Sequence, residues 1–97
     1  MDVKMNRDGD KLEIVIAGKI DTITSPELES KVSELEGVTD LVINLLDVDY
    51  ISSSGLRVLI IMQNVMDDQG SMTIRYVSDS VMEIFEATGL ADLFDID

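Results

Sequence analysis

The chain has 97 residues, seven basic and 20 acidic, which give a formal net charge of −13 at pH 7, and this length suits a single domain over residues 1–97. Such a charge argues against binding to nucleic acid or anionic membranes, both of which need clustered Lys and Arg, and it favours a basic protein partner. Because the sequence has no Cys and no His, it lacks the commonest metal ligands and the commonest general base, so we expect no metal site, no cofactor and no enzymatic activity.

The chain begins with the pattern of a β-hairpin. A short edge strand is expected at Val3–Asn6, and the Asp8-Gly9 step suits the turn that follows it. Lys11–Ala17 alternates charged and apolar residues before it becomes wholly apolar, as expected of a partly covered second strand.

A helix is predicted to start at Ser25, with Ser25 as its cap and Pro26 at its first position. It should end at Gly37 and bury a stripe formed by Leu28, Val32 and Leu35, which are spaced as one helical face.

The middle of the chain predicts a buried strand followed by a longer helix. Leu41–Leu46 is a short apolar run with β-branched residues, and Asp47-Val48-Asp49 breaks it. Apolar residues at helical spacing then run from Gly55 to Met66, and Gln69-Gly70 ends the helix.

The last third predicts one more strand and one more helix. Ser71–Val77 alternates, with Met72, Ile74 and Tyr76 on one face, and Ser78 can cap a helix that runs to about Ala87. The pattern of Leu90–Ile96 leaves its structure open. The order ββαβαβα predicts an α/β fold in which helices pack on a small mixed sheet of four to five strands.

The apolar stretches are shorter than the ~20 residues that span a bilayer, and the N-terminus lacks the apolar region of a signal peptide. We therefore expect a cytoplasmic protein that does not insert into membranes.

Three serines, Ser52, Ser53 and Ser54, stand between the central strand and its helix. A helix N-terminus has unpaired N–H donors and a partial positive charge, so a phosphate on one of these hydroxyls would be stabilised there. The same serines could serve only as ordinary helix caps, with Gly55 permitting close packing of helix on sheet. Spacing alone leaves both interpretations open.

Two segments carry motifs in their order along the chain. Ile16–Asp21 reads I-A-G-K-I-D, and Asn44–Leu59 reads N-L-L-D-V-D-Y-I-S-S-S-G-L-R-V-L. The second segment resembles the signature of the STAS family, the sulphate transporter and anti-sigma factor antagonist domains, and the first resembles the L-x-G-x-(L/I)-D strand end of that family. The resemblance extends from about Leu12 to about Phe94. It implies the STAS fold, and it implies a further C-terminal helix for which this sequence has no counterpart.

In the anti-sigma factor antagonists of this family, the serine before Gly-Leu is phosphorylated by an anti-sigma factor that is also a serine kinase. The unphosphorylated form binds that kinase and releases the sigma factor, and a serine phosphatase restores it. The resemblance therefore matches Ser54 to the phosphorylated residue, Ser53 to its hydroxyl neighbour and Asp21 to a loop acid beside the site. Ser52 stands where the better-known regulators have Asp.

Other functions remain open on the sequence alone. A STAS domain can be an accessory subunit that binds a transporter ATPase constitutively, with the serines only capping a helix. An enzyme with Ser54 as nucleophile is a third alternative, but no histidine is available as its base. Kinase or phosphatase genes nearby would favour the antagonist, and transporter genes the subunit.

Helical geometry suggests where the partner binds. Val58, Leu59, Met62, Val65 and Met66 share one face of the second helix, which should be its core side. Leu56 and Ile60 fall among the polar residues Arg57 and Asn64 on the other side, one turn from Ser54. We therefore expect an exposed apolar pair, rimmed by Arg57 and Asn64, that contacts the partner.

Overall fold

A computed structural model describes all residues, 1–97, and confirms the predicted α/β architecture. The strands and α-helices are β1 (Asp2–Asp8), β2 (Lys11–Ala17), α1 (Ser25–Glu29), β3 (Asp40–Asp47), α2 (Ser53–Gln69), β4 (Ser71–Arg75), α3 (Asp79–Ala87) and β5 (Asp95–Ile96). Two 3₁₀ segments, Ser30–Leu35 and Leu90–Asp92, follow α1 and α3.

The five strands form one mixed sheet whose spatial order, β1-β2-β3-β4-β5, is also their order along the chain. β1 pairs antiparallel with β2, and all later neighbours are parallel. Each helical connection between parallel strands therefore leads to the next position in the sheet, always in the same direction. Because such crossovers are nearly always right-handed, the helices all lie on one face of the sheet.

Burial along the strands agrees with this one-sided arrangement. In β2 the side chains of Leu12, Ile14 and Ile16 are buried, whereas those between them are partly or fully exposed, and β3 and β4 alternate in the same way. The opposite face of the sheet carries polar side chains, such as Glu13, which accepts hydrogen bonds from Asn6 and Asn44. No helix combines the length and apolar character needed to cross a bilayer.

The first helix differs in form from the prediction. After five residues α1 tightens into the 3₁₀ segment, and Thr24 rather than Ser25 is its N-cap residue. Leu28 and Leu35 are buried as predicted, but Val32 is only partly buried. A 3₁₀ helix has 3.0 residues per turn instead of 3.6, so a stripe predicted at α-helical spacing drifts around its surface. Gly37 follows the segment at a φ of 79°.

The prediction that Tyr76 shares a strand face with Met72 and Ile74 is wrong. β4 ends at Arg75, and Tyr76 has a φ of 62°, which turns its side chain out of the strand and leaves it 54% exposed. The unassigned C-terminal segment contributes β5, which pairs with β4 at Thr73 and Ile74.

The expected exposure of Leu56 is also wrong. Leu56 is only 5% exposed because α1 packs beside α2 and covers that flank of the helix. An ion pair between Arg57 and Glu29 of α1, 3.3 Å long, marks the same contact. Ile60 is partly buried against the core, whereas Arg57 and Asn64 are exposed. Leu56 and Ile60 therefore do not form an exposed apolar pair.

Gly70, between α2 and β4, lies very close to Thr39 in the segment that leads into β3. A Cβ at residue 70 would lie 1.9 Å from the backbone oxygen of Thr39, and backbone cannot easily move away. We expect Gly70→Ala to lower the free energy of unfolding by about 3 kcal/mol, the upper part of the range for overpacking. Chemical denaturation followed by circular dichroism measures this.

The matched control is Gly9→Ala in the β1–β2 turn. Gly9 has a φ of 63°, and no atom lies within 4 Å of the point that a Cβ would occupy, so alanine there meets only the backbone penalty. That penalty is about 1 kcal/mol. Equal losses in the two variants would contradict the steric argument for Gly70.

Candidate functional site

The serine segment and the Asp21 loop are held side by side because β2 and β3 continue to pair beyond their regular ends. The N–H of Gly18 donates to the Asp47 carbonyl at 3.0 Å, and the N–H of Ile20 donates to the Tyr50 carbonyl at 3.1 Å. Ser52 N–H then donates to the Ile20 carbonyl at 2.7 Å. Ile20 and Ile51 form an isolated parallel bridge with both side chains buried.

Gly55 lets the first turn of α2 lie directly on this bridge. A Cβ at residue 55 would come within 2.6 Å of Ile20 Cγ2 and 2.8 Å of Ile51 Cγ2. Gly55 therefore fixes the depth at which α2 packs, and with it the position of the serines that precede it.

Ser52 is the N-cap residue of α2. Its extended backbone, with φ −78° and ψ 171°, and a side-chain oxygen that accepts from the N–H of Gly55 at 3.3 Å give the usual cap geometry. The N–H groups of Ser53 and Ser54 have no hydrogen-bond acceptor in the protein. The capping interpretation of Ser52 is thus confirmed, and two N–H donors remain free beside it.

The hydroxyl of Ser54 lies inside a small cluster of serine side chains. Its Oγ is 2.8 Å from Ser52 Oγ and accepts a hydrogen bond from Ser25 Oγ at 3.2 Å. Ser54 is partly exposed, whereas Ser53 is exposed and its hydroxyl makes no hydrogen bond within the protein. Sequence reasoning treated Ser25 only as a helix cap and missed this contact, since 29 residues separate Ser25 from Ser54.

Asp21 organises the turn that leads into α1. Its Oδ1 accepts hydrogen bonds from the N–H groups of Ile23 and Thr24, each at 2.9 Å, and lies 3.1 Å from the Thr24 hydroxyl. The Asp21 carbonyl accepts from the N–H of Ser25 at 2.8 Å. Asp21 is therefore a turn former that places Ser25 next to Ser54.

These hydrogen bonds also set the acidity of Asp21. The Thr24 N–H is the main cause that holds the pKa of this carboxyl below its ordinary value of 3.8, assisted by the Thr24 hydroxyl, the Ile23 N–H and the charge of Lys19. Partial loss of solvation opposes the shift. The ionised carboxylate is the form that the turn stabilises.

Asp47, the last residue of β3, and Asp49 contribute to this edge through their backbone carbonyls. The Asp49 carbonyl accepts a hydrogen bond from Ser80 of α3 at 3.1 Å, and the neighbouring Val48 carbonyl accepts one from Ser78. These bonds hold the N-terminus of α3 against the same loop as the serine segment.

Two exposed apolar residues lie close in sequence to members of the serine cluster. Ile23 in the Asp21 turn is 87% exposed, and Tyr50, next to the Ile20–Ile51 bridge, is 46% exposed. Both lie at the carboxyl-end edge of the parallel strands, where α/β proteins usually place their binding sites. No group of three or more acidic, Cys or His side chains converges there or elsewhere to hold a metal ion.

Comparisons with known proteins show what this chain and its fold are similar to. The family model of the STAS domain matches residues 2–97. The anti-sigma-B factor antagonist of Bacillus subtilis (strain 168) is 37% identical over 98 residues, which cover 99% of this chain and 88% of that protein. The unphosphorylated anti-sigma factor antagonist SpoIIAA superposes with a TM-score of 0.84 at 17% identity, over 99% of this chain and 88% of its own. The phosphorylated form of SpoIIAA, a Bacillus cell fate determinant, gives 0.76 at 16% identity, over 99% and 91%.

The lowered pKa of Asp21 predicts how stability depends on pH. Ionisation stabilises the folded turn, so this contribution is complete above pH 3.8 and is lost as the pH falls through the lower folded-state pKa. Asp21→Asn keeps an oxygen acceptor but no charge. We expect it to melt below wild type at neutral pH, with a difference that narrows in acid.

Thermal melts between neutral pH and pH 2 measure this difference. Thr22→Ala, an exposed change in the same loop, should differ from wild type by the same amount at every pH. A pH-independent difference for Asp21→Asn would show that the charge of Asp21 does not stabilise the turn.

Proposed function

Because this chain belongs to the STAS domain family, we propose that it acts as an anti-sigma factor antagonist, a regulatory protein rather than an enzyme. In its unphosphorylated form it binds an anti-sigma factor, which then releases a sigma factor. The observation that carries this proposal is the similarity, along nearly the whole chain, to the anti-sigma-B factor antagonist of Bacillus subtilis. That similarity favours the antagonist over an accessory subunit of a transporter. Since sigma factors direct RNA polymerase, the proposed site of action is the cytoplasm.

The proposed switch is phosphorylation of Ser54 by an anti-sigma factor with serine kinase activity, reversed by a serine phosphatase. Its support is local chemistry. Ser54 is partly exposed in the first turn of a 17-residue helix, and the N–H groups of Ser53 and Ser54 are free. A phosphate adds a charge of about −1.5 to −2 and three strong acceptors, which these donors and the positive helix end would stabilise.

Ser52 changes the electrostatics of this switch. With a neutral hydroxyl at position 52, no carboxylate lies directly against the Ser54 oxygen. The Ser52 hydroxyl can also donate a hydrogen bond to a phosphate, which an ionised carboxylate cannot. The resulting phosphoserine is therefore compatible with the fold.

The proposed docking surface lies on the carboxyl-end edge of the sheet. Ile23 and Tyr50 replace the buried Leu56 as its apolar anchors, and Arg57, Ile60 and Asn64 of α2 remain part of it as a prediction. A partner that covers Ile23, Tyr50 and the serine segment together would have to desolvate a phosphate on Ser54. Desolvating a doubly charged group against apolar contacts is costly, and this cost would release the partner.

Intact mass spectrometry after incubation with ATP and the cognate anti-sigma factor tests the switch. We expect wild type to gain one phosphate, Ser54→Ala to gain none and Ser53→Ala to behave as wild type. Ser53 is the more exposed hydroxyl and is therefore the critical control. Loss of the phosphate in Ser53→Ala, or its assignment to Ser52, would refute Ser54 as the acceptor.

Calorimetric binding of the same unphosphorylated variants tests the docking surface. Ile23→Glu should weaken binding at least tenfold, about 1.4 kcal/mol, and leave the melting temperature nearly unchanged because this side chain is already in solvent. Leu93→Glu is the matched control. Leu93 is 46% exposed, but it precedes the parallel strand β5 and so lies at the amino ends of the parallel strands, away from their carboxyl ends. Equal effects of the two variants would show that the partner binds elsewhere.

A further inference from the structure

A buried hydroxyl lies beneath the proposed phosphate acceptor. Ser25 is only 5% exposed, and the single hydrogen bond of its side chain goes to Ser54 Oγ at 3.2 Å. The first residue of a short helix has no need of such a contact, since Thr24 is the N-cap residue of α1 and neither it nor Ser25 caps the helix with its side chain. The hydroxyl of Ser25 thus acts on α2, not on its own helix.

Two hydroxyls hold the Ser54 side chain. Ser25 Oγ donates to Ser54 Oγ at 3.2 Å, and Ser52 Oγ lies 2.8 Å from it, in a bond that either hydroxyl can donate. Ser52 Oγ also accepts from the N–H of Gly55. Contacts to Ser25, from the start of α1, and to Ser52, from the cap of α2, therefore hold Ser54 in one rotamer.

From this arrangement we propose that Ser25 is a positioning residue for phosphoryl transfer to Ser54. The proposal rests on the proposed function and deepens it. In the transfer, Ser54 Oγ forms a bond to the γ-phosphorus of a nucleoside triphosphate held by the kinase. The bond from that phosphorus to the β,γ-bridging oxygen breaks, the nucleoside diphosphate leaves, and the Ser54 proton passes to a basic group of the kinase. Ser25 holds the side chain of Ser54, which is partly exposed, in one rotamer for this attack.

The same geometry gives Asp21 an indirect role. The Asp21 carboxylate fixes the Ile23 and Thr24 N–H groups, and its carbonyl binds the N–H of Ser25. Asp21 therefore affects the position of Ser54 indirectly, through the backbone of the turn and the hydroxyl of Ser25. It needs no contact of its own with the phosphate acceptor.

Ser25→Ala removes the hydroxyl and leaves the fold and the surface intact. A serine side chain has three staggered rotamers. Without the Ser25 hydroxyl, the fraction of molecules with Ser54 in the rotamer suited to phosphoryl transfer should fall to about one third. With ATP and a fixed amount of extract from the source organism as kinase, we expect Vmax to fall about threefold or more, with KM for the antagonist unchanged. Ser25→Thr, which retains the hydroxyl, should recover Vmax to within about twofold. Ser30→Ala, an exposed serine that immediately follows α1, should match wild type.

A second readout needs no kinase. The α–β proton couplings of Ser54 in solution NMR should report one rotamer in wild type and averaged rotamers in Ser25→Ala. Unchanged couplings with an unchanged or raised Vmax would overturn the proposal, as would a fall in Vmax that follows a lower melting temperature. If the added methyl group destabilises Ser25→Thr, the couplings in Ser25→Ala decide alone. Absence of phosphate on wild type would refute the proposed switch, whereas the couplings would still test the positioning.

Discussion

The close packing of the first turn of α2 on the Ile20–Ile51 bridge is the constraint on which the site depends. Two isoleucine side chains occupy the space where a Cβ of residue 55 would lie, so helix and sheet meet at a distance that only glycine allows. This contact places the cap hydroxyl, the free N–H donors and Ser54 at one height above the sheet. The extended pairing of β2 with β3 then delivers the Asp21 turn to the same place.

Much of the architecture could be predicted because it is encoded locally. The Asp8-Gly9 hairpin, the start of a helix near Ser25-Pro26 and the caps at Ser52 and Ser78 depend on residues within one turn of each other, and the structure contains all of them. The mixed α/β class follows from the order of these elements.

Other features depend on contacts between distant segments and could not be predicted. Leu56 is buried because a different helix lies beside it, and no periodicity within α2 contains that information. Tyr76 does not follow the strand pattern because its own backbone adopts a left-handed conformation. The hydrogen bond from Ser25 to Ser54 requires both the β2–β3 extension and the packing of α1 on α2. A serine in a helix start gives no local signal of such a partner.

The identity of spatial and sequential strand order has a consequence for how the chain folds during synthesis. Each new strand pairs with the one made just before it, so no strand must wait for a distant partner to emerge from the ribosome. The hairpin, α1, β3 and α2 can therefore assemble in succession, and the serine cluster is complete once α2 has been made, before β5 closes the edge of the sheet. The edge that carries Ile23, Tyr50 and the serine cluster is therefore complete when three strands and α2 are in place.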